Sequence, residues 1–117
     1  MKDFRSLKVW ELSHKLTLDI YKTTAKYPKE ELFALISQMR RSSSSIPTNI
    51  AEGCGRRTDK DFASFLQIAL GSACEIEYQI LLSADLEYIS REQEKDLNMK
   101  IVVIKRMLSG LIKSIRQ

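Results

Sequence analysis

The sequence predicts an all-α protein, an antiparallel up-down-up-down four-helix bundle that fills residues 1–117 as a single domain. Three observations lead there. Apolar residues recur at three- and four-residue steps in four separate segments, the connections between them are short and carry capping residues, and the 117 residues include only four Gly and two Pro. With 44% hydrophobic and 29% charged residues the composition suits helices and excludes a disordered chain or a disulfide scaffold. A chain of this length buries about two-thirds of its unfolded surface, enough for a core without staples.

The first helix spans about Leu7 to Ala25. Ser6 is available as its N-cap, and Tyr27-Pro28 stops it, because the residue before proline is pushed out of the helical region. Its outer face alternates Lys8, Glu11, Lys15, Asp19, Lys22 and Lys26, a solvated ladder of pairable charges. The second helix starts near Lys29, with Glu30 and Glu31 complementing its dipole and a stripe of Leu32, Leu35, Ile36, Met39, Ser43, Ile46 and Ile50. The run Ser42–Ser45 and Pro47 oppose a helix, yet the apolar phase continues unchanged to Ile50, so one kinked helix is predicted.

Gly53 and Gly55 are read as a left-handed cap, and Thr58 with Asp61 opens a third helix from about Asp59 to Leu86. Its main stripe is Phe62, Phe65, Leu66, Ala69, Ala73, Ile76 and Ile80. Leu70 and Leu81 widen that stripe, and Ile68 and Leu82 lie nearly behind it. A helix apolar over most of its circumference needs cover on two sides, so a second copy of the chain is expected against it. Gly71 and Ser72 read as a point of close backbone approach. Ser90 and Gln93 form a capping box for the fourth helix, where Leu97, Ile101, Ile104, Leu108, Leu111 and Ile115 make a coiled-coil seam. Helices of about twenty to twenty-eight residues would be roughly 30 to 40 Å long.

The net charge of +4 is not spread evenly. Lys100, Lys105, Arg106, Lys113 and Arg116 lie in residues 97–117 without a single acid, while the other fourteen bases are balanced by all fifteen acids. Lys105, Arg106, Lys113 and Arg116 fall within an arc of roughly 100° opposite the seam, a focused positive stripe that suits an anionic partner. The N-terminus lacks a signal-like apolar core, and no stretch nears the roughly 18 to 20 apolar residues of a membrane span. A cytoplasmic protein without membrane contact is expected, with Cys54 and Cys74 as reduced thiols in or near a core.

Four segments carry a family resemblance: Leu-Lys-Val-Trp at 7–10, Gln-Met-Arg-Arg at 38–41, Ser-Ile-Pro-Thr-Asn-Ile-Ala-Glu-Gly at 45–53, and Phe-Leu-Gln-Ile-Ala-Leu-Gly-Ser-Ala-Cys-Glu at 65–75. With them the chain resembles, over nearly its whole length, the bacterial four-helix bundle proteins encoded by intervening sequences in 23S ribosomal RNA genes. That family includes accessory proteins of diversity-generating retroelements. The resemblance implies a homopentameric barrel of bundles, a basic surface suited to nucleic acid, a reverse transcriptase as partner in the retroelement members, and no known enzymatic activity. Ser42, Ser43 and Ser44 stand where the family carries small alanines.

The candidate sites are electrostatic. At Gly53–Thr58 a helix N-terminus and the guanidinium groups of Arg56 and Arg57 could hold a phosphate, although Asp59 and Asp61 complement the same dipole and would repel the same anion. Several bases on one face, Lys105, Arg106, Lys113 and Arg116, would release counterions on binding a polyanion without reading its sequence. Arg40 sits on the flank of its stripe, where a structural ion pair with Glu75 or Glu77 is expected, across the bundle or across a subunit contact. Trp10, Tyr21 and Tyr27 read as core or interface anchors rather than stacking platforms.

Catalysis finds little support: His14 is the sole histidine, neither cysteine has a base beside it, and Glu75 and Glu77 point about 200° apart on one helix. No cofactor or metal is implied. The expectation is an oligomeric nucleic-acid-binding protein, RNA more than DNA, working through its basic surface. The alternative is a protein-interaction scaffold for a nucleic-acid enzyme such as a reverse transcriptase.

Overall fold

The structure, a computed structural model, describes residues 2–117 and consists of four long helices. They are α1 (Lys8–Thr24), α2 (Ser37–Cys54), α3 (Asp59–Asp85) and α4 (Arg91–Arg116). Hydrogen bonds between neighbours fix their sense. Along α1 and α2, Thr17 meets Ser43 while Thr24 meets Arg40; along α2 and α3, Ser45 meets Ser72 while Ser42 meets Gln79. Between α3 and α4, Glu77 meets Lys105 and Asp85 meets Arg91. In each pair one number rises as the other falls, so sequential helices are antiparallel, as the short connections predict. Lys100 bonds Asp19 at 3.0 Å and ties α4 back to α1, closing a bundle 43 × 24 × 19 Å in extent.

The core follows the predicted stripes. Leu16, Ile20, Met39, Ile46, Ile50, Leu66, Ile76, Ile80, Ile101, Ile104 and Leu108 are fully buried. On α4 the buried line runs Leu97, Ile101, Ile104, Leu108 and then Ile112, leaving Leu111 and Ile115 half-buried. An α-helix drifts about 20° per heptad from a strict seven-residue repeat, which carries the seam from Leu111 to its neighbour by the last turns.

Three turns differ from expectation. Before α2 the chain makes a 3-10 turn at Lys29–Glu31 and a π turn at Leu32–Ile36. The wider turn absorbs an extra residue and rotates what precedes it, so Leu32 leaves the stripe and is 48% exposed. At the end of α2 no glycine takes a positive φ, and Gly55 is right-handed at φ −85°. The last α2 carbonyls are instead met by tightened bonds, Gly55 N–H to Glu52 O and Arg56 N–H to Gly53 O, each 3.1 Å. The left-handed residue is Glu87, at φ 65°, in the α3–α4 turn. Glu87 N–H donates to Ala84 O and Tyr88 N–H to Ser83 O, the paired bonds of a Schellman cap. Ser90 and Gln93 then open α4 with a complete capping box.

The serine run stays helical because its hydroxyls find partners. Ser42 donates to Gln79 Oε1 at 2.6 Å, and Ser45 and Ser72 share a 2.8 Å hydrogen bond, so small polar side chains let α2 lie close against α3. Pro47 lies buried inside α2 and has no N–H for the Ser43 carbonyl one turn back. Thr17 of α1 reaches that carbonyl: its Oγ1 lies 3.0 Å from Ser43 O and 2.9 Å from Ser13 O of its own helix, so the two carbonyls share its one proton. A side chain of the neighbouring helix thus reaches a carbonyl that the proline leaves without its usual donor.

Of Gly71 and Ser72, read as a close approach, Ser72 meets Ser45 of α2, whereas Gly71 faces open space and the tight glycine is Gly53. A Cβ there would lie 2.9 Å from the Phe65 Cβ and 3.0 Å from Phe62 Cδ1, whereas Gly71 and Gly110 have nothing within 4 Å. Gly53→Ala is therefore expected to destabilise the fold by about 1–2 kcal/mol, overpacking outweighing the gain in helix propensity. Gly110→Ala, with propensity alone at stake, should stabilise it by about 0.5–1 kcal/mol. Urea unfolding of the two variants reads both signs.

Candidate nucleic-acid interface

Antiparallel packing brings the N-terminal segment, the α2–α3 turn and the C-terminus of α4 to one end. There Lys2 N–H bonds Cys54 O at 3.1 Å, and Lys2 Nζ approaches Asp59 at 3.9 Å. At this end Lys2, Arg5, Arg56, Arg57, Lys60, Lys113 and Arg116 outnumber Asp3, Glu52, Asp59 and Asp61. The opposite end reverses the balance: Glu30, Glu31, Asp85, Glu87, Glu92, Glu94 and Asp96 outnumber Lys22, Lys26, Lys29, Arg91 and Lys95. The bundle therefore carries a charge gradient along its axis, positive where α4 ends.

Within the positive end the predicted residues are not equivalent. Arg106, Lys113 and Arg116 are exposed along the C-terminal half of α4, Arg57 is exposed in the α2–α3 turn, and none of the four makes an ion pair among the described residues. Lys113 and Arg116 also offset the negative dipole end of α4. Arg56 is partly engaged: its Nη2 lies 3.2 Å from Glu52 Oε2 and its guanidinium stacks 4.6 Å from the Phe65 ring centre. Around it, Thr58 caps α3 by accepting from Asp61 N–H at 3.1 Å, so one of the free N–H groups is already used.

Lys105 is not a free member of the stripe. Its Nζ bonds Glu77 Oε1 at 2.7 Å, and both side chains are about two-thirds covered. The Glu77 hydrogen bond holds its ammonium above the usual lysine range, while partial desolvation opposes that rise. Lys100 is similarly engaged by Asp19 first and Asp96 second, which raises its pKa as well.

The expected pair of Arg40 with Glu75 or Glu77 is absent within the chain. Arg40 turns toward α1, where Nε donates to Thr24 Oγ1 at 3.0 Å, Nη2 donates to Tyr21 O at 3.2 Å, and the guanidinium covers the Tyr21 ring at 4.7 Å. Glu77 is taken by Lys105. Glu75 is exposed and borders a shallow cleft with Gln38, Arg41, Ser42 and Ser45.

Of the aromatic anchors, Tyr27 is buried, Trp10 half-buried and Tyr21 44% exposed. The sequence reading passed over the stack of Trp10 on His14, whose i,i+4 spacing is the signal that would have found it. It also missed Phe33, which is 93% exposed beside Leu32. The cysteines are free, Cys54 buried and Cys74 exposed rather than near the core. Burial, ahead of the nearby Lys2 charge, pushes the Cys54 thiol pKa up, away from reactivity. Among the described residues no three His, Cys, Asp or Glu side chains converge as a metal site, and no helix is long and apolar enough to cross a membrane.

None of the curated proteins matches the sequence. Among solved structures, a protein of unknown function from the S23 ribosomal protein family of Bacteroides thetaiotaomicron VPI-5482 is similar at 33% identity, with a TM-score of 0.81. The match covers 90% of this chain and 98% of that one. The family model described as "23S rRNA-intervening sequence protein" matches residues 5–110. Neither description names a catalytic activity, and with a match over nearly the whole bundle the chain belongs to the 23S rRNA-intervening sequence protein family.

Proposed function

We propose that the protein is a non-catalytic, oligomeric nucleic-acid-binding protein of the cytoplasm that prefers structured RNA. It contacts phosphates through Arg57, Arg106, Lys113 and Arg116, with Arg56 in a secondary role and Lys105 available only when Glu77 releases it. The observation that carries this reading is the run of exposed, unpaired bases down the last turns of α4, beside Arg57 at the same end. Free cations release phosphate counterions on binding, whereas cations already paired must first give up a carboxylate. The family's description, which names a 23S rRNA intervening sequence, supports RNA as the polyanion.

Ile68, Tyr78 and Leu81, each at least 45% exposed on α3, support self-association; resemblance makes a homopentamer the expected assembly. A second reading, a scaffold for a nucleic-acid enzyme such as a reverse transcriptase, draws on exposed Phe33 and Leu32, an apolar anchor outside the bundle core. Fluorescence-anisotropy titration of a labelled structured RNA across a salt series tests the first reading. Micromolar or tighter binding near physiological salt, weakening as salt rises, is the expected result. No binding there would leave the scaffold reading in its place.

A further inference from the structure

Near the basic end, α1 carries a short aromatic stack that packing within the chain leaves incomplete. Phe4 meets Trp10 edge-on at 4.8 Å, and Trp10 lies parallel to His14, ring centres 5.1 Å apart and planes 8° apart. Trp10 is half-buried and packs on the core, which holds the stack in place, while His14 at its outer end is exposed. No other aromatic ring stacks on the second face of His14 among the described residues. Arg5 lies over Phe4 at 4.5 Å, its guanidinium also 3.8 Å from Asp3 Oδ1. Tyr21 shares this face of α1 about 16 Å further along, but Arg40 already covers its ring. His14, the exposed end of the stack, is where a planar group can extend it, beside Leu18 one turn on along α1, itself 49% exposed.

We propose that the His14–Trp10 stack is a platform for an unpaired nucleobase, such as one from an RNA loop. The proposal rests on the nucleic-acid reading and deepens it: His14 lies toward the α2 side of α1, so exposed basic side chains at the same end of the bundle, Arg57 of the α2–α3 turn among them, hold phosphates of a structured RNA while His14 receives a base splayed from it. Stacking needs no hydrogen-bond readout, so the platform accepts any base and discriminates a base from its absence. Trp10 is the only tryptophan of the chain and reports directly on the site.

The test compares an RNA hairpin having a uridine loop with the same hairpin having an abasic loop, on wild type, His14→Ala and His14→Phe. Wild type should bind the uridine loop about 5- to 100-fold more tightly than the abasic one, with Trp10 emission changing only for the former. His14→Ala should lose that preference while keeping salt-dependent binding, and His14→Phe should retain it. Equal binding of both loops with Trp10 emission unmoved would overturn the platform and leave the phosphate reading standing. No binding of either hairpin would overturn both. Trp10 emission that changes with protein concentration alone, and not with RNA, would assign the face to contact between copies and overturn the platform too.

Discussion

Thr17→Val is expected to destabilise the fold by about 1–3 kcal/mol, the cost of leaving a buried carbonyl without its donor. The substitution removes the hydroxyl with little change of shape. Ser43 O then loses the Thr17 hydroxyl, which it shares with Ser13 O at 3.0 and 2.9 Å, and it has no N–H one turn on because residue 47 is proline. A double-mutant cycle isolates the effect. In a Pro47→Ala background the backbone N–H at position 47 can bond Ser43 O, so Thr17→Val should cost about 1 kcal/mol less there. Urea denaturation of the four proteins measures the coupling. A strictly additive cycle would mean that the hydroxyl does not compensate for the proline.

The largest expected effect on binding follows from removing Arg106, Lys113 and Arg116 together. Every phosphate that is no longer neutralised lowers the log–log salt slope by about 0.7–0.9, so the triple alanine variant should reduce the slope measured with structured RNA by roughly 2–3. Lys105→Ala should change the slope by much less than one phosphate's share, since its ammonium already bonds Glu77 at 2.7 Å. Glu77→Gln should act in the opposite direction, releasing Lys105 to a phosphate and steepening the slope. If Lys105→Ala costs as much as the triple variant, the distinction between free and engaged cations fails.

The same residues differ in how far sequence alone reveals them. The four helices were legible from their apolar period, and the starts of α3 and α4 also from their caps at Thr58 and Ser90, whereas α1 has Leu7 at its N-cap position instead of the expected Ser6. The π turn at Leu32–Ile36 was not, because an extra residue in one turn has no residue-type signature and only shifts the phase. The sequence marks Gly53 as a cap and Gly71 as a close approach, and only the position of α3 against α2 shows that the first one is tight. Lys105 counted as free for the same reason: its engagement depends on the α3–α4 register that sets Glu77 opposite it. Arg40 illustrates the converse, since its partners on α1 are a hydroxyl, a carbonyl and a ring, none of which charge pairing alone would select. Only for Arg57, Arg106, Lys113 and Arg116 do the charge pattern and the folded geometry agree that the cation is exposed and unpaired.

Lysine acetylation footprinting of the protein with and without bound structured RNA tests the central claim most directly, because lysines mark both ends of the bundle. The account predicts strong protection of Lys113, with Lys60 following, and little change at Lys26, Lys29 and Lys95 at the acidic end. Protection concentrated on Lys26, Lys29 and Lys95, with Lys113 reacting as in the free protein, would contradict it.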